Sequence, residues 1–147
     1  MILLDTNLLG RILDTGDAQH AAAIEAVAFL HKQGERLAIC AQNVVELYAI
    51  ATRKERGLGL SPTEALAEIA AVKARFRMLP DLPLHAKWEE LAAKYLVTNR
   101  LVFDMRLVTA AIVGGCSSIL TFNDFDFSRF AEIRVINPFE LLGLPRI

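Results

Sequence analysis

Four short apolar runs are spaced along the chain: Ile2–Leu4, Leu37–Cys40, Ser118–Leu120 and Ile133–Ile136. The stretches between them carry apolar residues at helical spacing. Buried strands that alternate with helices form a mainly parallel sheet, because parallel neighbours need a crossover long enough to hold a helix. The expected fold class is therefore α/β, with helices on both faces of the sheet.

Local signals fill in the connections. Asn7–Leu13 reads as a short helix. Asp17 is placed to cap a second helix running through Ile24, Val27 and Leu30, with Gly34 as its stop. Ala41–Gln42–Asn43 leads into a helix, "VVELYAIATRKERG". Ser61, Pro62 and Glu64 form a capping box with proline at the first helical position. "FRMLP" suits a short strand. Leu84, Trp88, Leu91 and Tyr95 mark one face of a further helix. Asp104 starts another, with Leu107, Ala110 and Ala111 inward and Gly114 near its end, and "TFNDFDF" reads as a loop.

Composition narrows the function. Hydrophobic residues make up 54% of the 147 and charged residues 22%, which fits one globular domain over residues 1–147. Glu25 and Gly114-Gly115 interrupt the longest apolar runs, so no membrane span is expected. No basic stretch precedes an apolar one at the start, and a cytoplasmic protein is the default expectation. Cys40 and Cys116 are far apart, with no CxxC. His20, His31 and His85 lack metal-ligand spacing. That argues against zinc and leaves oxygen ligands, which suit magnesium or manganese. The net charge of -1 gives no general attraction to nucleic acid. Two local basic groups, Arg53, Lys54 and Arg56, then Lys73, Arg75 and Arg77, read as solvated helix faces unless a site lies beside them.

Acids set against apolar neighbours carry the chemistry. Asp5 follows Ile2–Leu4 directly. Glu46 lies between Val45 and Leu47. Asp104 sits in "RLVFDMRLVTAA". Asn123, Asp124 and Asp126 crowd the loop after Ser118–Leu120. Singly, each could be a cap or a surface charge. Together, three of the four places are strand ends or helix starts on what should be one edge of the sheet, where such folds bind ligands. Carboxylates gathered there repel one another, and a divalent cation removes that penalty. Such a centre suits hydrolysis of a phosphodiester.

The pieces "LLDTN", "NVVELYAIATR", "GLGLSPTEA", "VFDMRLVTAA", "ILTFNDFDF" and "IRVINPFEL", in this order over nearly the whole length, resemble the PIN-domain ribonucleases, and within them the VapC-like toxins of VapBC toxin–antitoxin pairs. The resemblance implies a three-layer α/β/α sandwich. It also implies an endoribonuclease using Mg2+ or Mn2+, usually a homodimer, cutting RNA and inhibited by a cognate antitoxin. Asp5 and Asp104 would share one ion, and Glu46 would complete the site or hold the attacking water. The family's acid-before-Phe pattern falls on Thr121, Asn123, Asp126 and Phe127. That makes Asp126 the expected fourth acid, with Asn123 supporting its loop. Asp124, nearer the strand end, is the competitor, and Asn7 a possible supporting residue. Phe103 and Met105 depart from the His and Ala that many relatives carry on either side of the third acid. Two other readings stand beside this one. The first is a PIN-like module that binds RNA or protein without cutting. The second is a magnesium-dependent phosphatase or receiver-like domain, which would want a second acid where Asn7 stands.

Overall fold

The computed structural model describes residues 1–147. In chain order the elements are β1 (Ile2–Leu4), α1 (Thr6–Leu13), α2 (His20–Lys32), β2 (Leu37–Ile39), α3 (Ala41–Thr52), α4 (Pro62–Arg75), β3 (Arg77–Met78), α5 (His85–Tyr95), α6 (Leu101–Val113), β4 (Ser118–Leu120), α7 (Asp124–Phe127), β5 (Arg134–Ile136) and α8 (Pro138–Leu142). The five strands pair in the order β3-β2-β1-β4-β5, and every pairing is parallel. The fold is α/β, as the alternation predicts.

Strand alternation divides the core. Ile2 and Leu4 of β1, Leu37 and Ile39 of β2, and Leu120 of β4 pack with Leu8, Leu9, Leu47 and Ile69 from α1, α3 and α4. Leu3, Ala38 and Ile119 face the other way, onto Leu91, Met105, Leu107 and Val108 from α5 and α6. Successive strand residues point to opposite faces, so three-residue strands can serve two helical layers only if every position is apolar, as all three of β1, β2 and β4 nearly are. No helix is long and apolar enough to cross a membrane.

Several boundaries differ from the sequence reading. Helix α2 starts at His20 because Asp17 is spent on a turn: its Oδ1 accepts from Gln19 N at 2.8 Å, and its Oδ2 pairs with Arg11 at 2.8 Å. Helix α3 begins at Ala41 and ends at Thr52, short of "RKERG", because the chain folds back on it through Leu58 N to Ile50 O and Leu60 N to Ala51 O. Asp104 caps nothing. Arg100 holds that place, and Asp104 lies in the first turn of α6. "TFNDFDF" contains the single helical turn α7.

The sheet order turns at β1, which is flanked by β2 on one side and β4 on the other. In parallel sheets the crevice at such a reversal, beyond the strands' carboxyl ends, is where ligands bind. The strand order also differs from the 2-1-3-4-5 order of receiver-like sheets, which removes the receiver-like alternative.

One buried side chain ties β1 to α3 at this crevice. Asn43, 1% exposed, accepts from Cys40 N at 2.8 Å and donates to Leu4 O at 3.0 Å and to Thr6 Oγ1 at 3.1 Å. Asn43→Ala strands a buried amide hydrogen and a buried carbonyl together, so it should lower the unfolding free energy by about 2–4 kcal/mol. Denaturant titration measures this, and a loss below about 1 kcal/mol would show that water replaces the clasp.

Candidate active site

Asp5 is the deepest of the acids, at 7% exposure. It ends β1, and its amide bonds to Leu120 O at 3.0 Å, next to β4. Its Oδ2 accepts from Thr121 Oγ1 at 2.6 Å, and Thr121 Oγ1 in turn accepts from Asn123 N at 2.9 Å. The end of β4 thus holds both the first acid and the loop that carries the last one. Burial pushes the Asp5 carboxyl up to about 6. The hydroxyl of Thr121 and the Asn7 amide oppose that shift, and repulsion from Asp104 and Glu46 adds to it.

Glu46 enters from α3 with both oxygens occupied. Oε2 accepts from Thr6 Oγ1 at 2.6 Å, and Oε1 accepts from Gln42 Nε2 at 2.8 Å. Gln42 also donates to Phe103 O at 3.0 Å and accepts from Arg106 Nη1 at 2.8 Å, which links α3 to α6. Glu46 is half-buried, but Val45 beside it is 70% exposed, so the apolar setting suggested by the sequence holds on one side only.

Asp104, half-buried on α6, takes no hydrogen bond from another side chain. Burial raises it to about 6, helped by the charges of Asp126 and Glu46 and opposed by those of Arg129 and Arg100. Asp126 lies on α7, where its Oδ2 accepts from Asn123 Nδ2 at 2.9 Å. Phe127, fully buried, anchors that turn, whereas Phe125 is 82% exposed.

One cleft collects these groups. Glu46, Asp104 and Asn123 line it throughout. Asp5, Thr6 and Asn7 line one part, and Asp126 and Phe103 the other. Asp124 is turned away: it pairs with Arg146 at 2.8 Å and accepts from Asn137 Nδ2 at 3.0 Å, and these donors hold its carboxyl below the usual range despite partial burial. The structure therefore brings Asp5, Glu46, Asp104 and Asp126 together and leaves Asp124 out. It also adds Thr6 and Gln42, which the sequence reading missed. A signal existed for each: Gln42 stands four residues before Glu46 on one helix face, and Thr6 follows Asp5 directly.

The donor set suits a hard divalent cation. It is all oxygen, it gathers repelling carboxylates, and it includes a buried Asn7 Oδ1 without any hydrogen-bond partner. The acids do not form a closed cage, since no three His, Cys, Asp or Glu side chains are grouped to hold one ion. The reason is visible in the bonds. Thr6 and Gln42 pin Glu46, Asn123 pins Asp126, and only Asp104 is free to turn.

Comparison with known proteins places this geometry in context. The family model described as PIN domain matches residues 2–133. Among solved structures, VapBC2 of Rickettsia felis bound to a DNA fragment from its promoter is similar with a TM-score of 0.68 and 18% identity, covering 93% of this chain and 98% of that one. DNA-bound VapBC from Salmonella typhimurium gives 0.67 and 21%, covering 94% and 99%. VapC20 of Mycobacterium tuberculosis, a toxin that cleaves the sarcin-ricin loop, gives 0.63 and 16%, covering 91% and 99%. No curated protein matches the chain at a significant level.

The raised Asp5 carboxyl makes stability depend on pH in a defined direction. The folded state binds this proton up to about pH 6, the unfolded chain only to about 3.8. Folded protein therefore holds more protons between those values, and its stability falls as pH rises through that window. Asp5→Asn removes the penalty while keeping an acceptor for Thr121. Without added metal it should be more stable than the wild type at pH 8 by about 1–3 kcal/mol, with the gap closing toward pH 4. Unfolding titrations with chelator at both pH values check this. A mutant less stable at pH 8 would mean that the carboxylate is satisfied, not strained.

Proposed function

The chain belongs to the PIN-domain family, and we propose that it is a Mg2+- or Mn2+-dependent endoribonuclease, the toxin of a toxin–antitoxin pair. One observation carries the reading. Asp5 from a strand end and Asp104 from a helix face the same cleft with carboxyls raised to about 6, and Glu46 and Asp126 stand beside them. A fold gains nothing in stability from such a cluster, so its use is to receive positive charge.

Asp5, Asp104 and Asp126 would hold the ion, with Asn7 Oδ1 close by. Bound there, a divalent ion supplies neutralisation of the phosphate and a more acidic water. The rest falls to the chain. Glu46 is held in place by two donors, Thr6 Oγ1 and Gln42 Nε2, and so presents a fixed acceptor to a water proton. Thr121 fixes the rotamer of Asp5, and Asn123 that of Asp126. Arg129 and Arg100 bring positive charge to the side of Asp104.

The similar structures include toxin–antitoxin complexes, which supports a protein antitoxin as partner. A homodimer as the working form belongs to the same reading. A non-catalytic module would show neither cleavage nor a metal response.

Purified protein should cut single-stranded RNA in manganese and stop with chelator. Asp104→Asn and Asp126→Ala should each slow cleavage by roughly 100-fold or more, while Asp124→Ala stays within a few-fold of wild type. Millimolar manganese should also raise the melting temperature of the wild type. Activity that survives in Asp104→Asn, or death of Asp124→Ala alone, would contradict the site. No cleavage and no melting shift in the wild type would favour the module.

A further inference from the structure

We infer that Arg53 and Arg56 form a phosphate subsite that grips the RNA backbone beside the acidic centre, an inference that rests on the nuclease reading above. The cleft does not end at the acids. Its inner part shares Asn7, Ile50 and Arg53 with an adjoining hollow lined by Arg11, Asp14, Arg56 and Leu58. A continuous groove therefore runs from Thr98–Arg100 across Glu46 and Asp104 to this second hollow. Along it the charge reverses. The centre is acidic, and the far end carries three arginines against the single Asp14.

These arginines are not equivalent. Arg11 is committed to Asp17 at 2.8 Å and to Gln19 at 3.2 Å. The exposed Arg53 and Arg56 take part in none of the chain's ion pairs or side-chain hydrogen bonds. Glu46, on the same groove wall as Arg53, is oriented by Thr6 and Gln42 and forms no ion pair with it. Two guanidiniums thus stay available for an anion from outside, and paired donors of this shape match a phosphodiester.

The backbone holds them there. Helix α3 stops at Thr52, so Arg53 is not on a solvated helix face as the sequence suggests. Gly59 N bonds back to Arg53 O at 2.9 Å and Leu58 N to Ile50 O at 3.2 Å. At Gly57 a Cβ would lie 2.5 Å from both Arg53 O and Ile50 O, so only glycine lets the turn close. Arg56 sits in the left-handed region at φ 56, a conformation uncommon for a residue other than glycine. A polyanion approaching carboxylates needs such a counterweight, because the net charge of -1 supplies none.

The test compares wild type with Arg53→Ala/Arg56→Ala and with Arg53→Lys/Arg56→Lys, using a short single-stranded RNA and a dinucleotide in manganese. The alanine pair should raise KM several-fold for the longer RNA with kcat nearly unchanged, and should leave the dinucleotide unaffected. It should also flatten the dependence of log(kcat/KM) on log[salt] by about 0.7 for each phosphate no longer neutralised, and the lysine pair should retain that slope. Equal KM and slope in all three proteins would overturn the subsite. So would an equal loss on the dinucleotide, which would put the arginines at the reacting centre. If the wild type cuts neither RNA, the nuclease reading fails separately. Fluorescence anisotropy of the same RNA in chelator then decides: a flatter salt slope in the alanine pair upholds the anion site, and an unchanged one removes it. Loss of poly-glutamate binding with RNA binding intact would assign the arginines to protein carboxylates, which overturns the proposal.

Discussion

The amide of Asn43 holds the site and the fold in one piece. Its three bonds reach the end of β1, the start of α1 and the start of α3, and they do so inside the protein, where each missing bond is expensive. Because Leu4 and Thr6 flank Asp5, the same side chain sets where the first acid stands. Because Thr6 passes its hydroxyl to Glu46, it also sets where the second one points. A local cap has become the joint between two elements of the site.

Around that joint the protein balances burial against charge. Asp5 is buried and bonded on one oxygen by Thr121, and its carboxyl still rises, so desolvation and like charges outweigh the bond. Asp104 has no such bond and rises to about the same value while only half-buried, through burial first and then the charges of Asp126 and Glu46. Glu46 is restrained by neutral donors, and Asp126 by the amide of Asn123 with Arg129 3.9 Å away. Neutral donors orient a carboxylate without cancelling its charge, whereas the arginine at Asp124 does cancel it. The close pair with Arg146 at 2.8 Å, against 3.9 Å from Arg129 to Asp126, separates the acid turned away from the cleft from the one that lines it.

The layered fold was legible because the apolar triplets at Ile2–Leu4 and Ser118–Leu120 have no other stable use, and the capping box at Ser61–Glu64 forms as its residues predict. The acids were legible as a set because Asp5 and the loop after Leu120 both follow strand ends. What the sequence hid was tertiary. Nothing local to Asp17 shows that Arg11 will claim it. Nothing local to Asp124 shows that Arg146, 22 residues on, will turn it outward. Proximity to the strand end pointed to Asp124 and the acid-before-Phe pattern to Asp126, and a distant salt bridge turns Asp124 away from the cleft. Arg53 and Arg56 read as a helix face because "VVELYAIATRKERG" keeps helical composition past Thr52, and only the return of Leu58 and Leu60 onto α3 moves them to the groove.

Everything proposed for the acids requires that the cleft at the sheet's reversal point receive a divalent cation. Anomalous diffraction from crystals of this protein soaked in manganese would show whether it does. A peak is expected at coordination distance from both Asp5 and Asp104, with Asp126 turned toward it. A map with no peak in the cleft, or with manganese only on acids outside it such as Asp124 and Glu140, would contradict the metal-site reading.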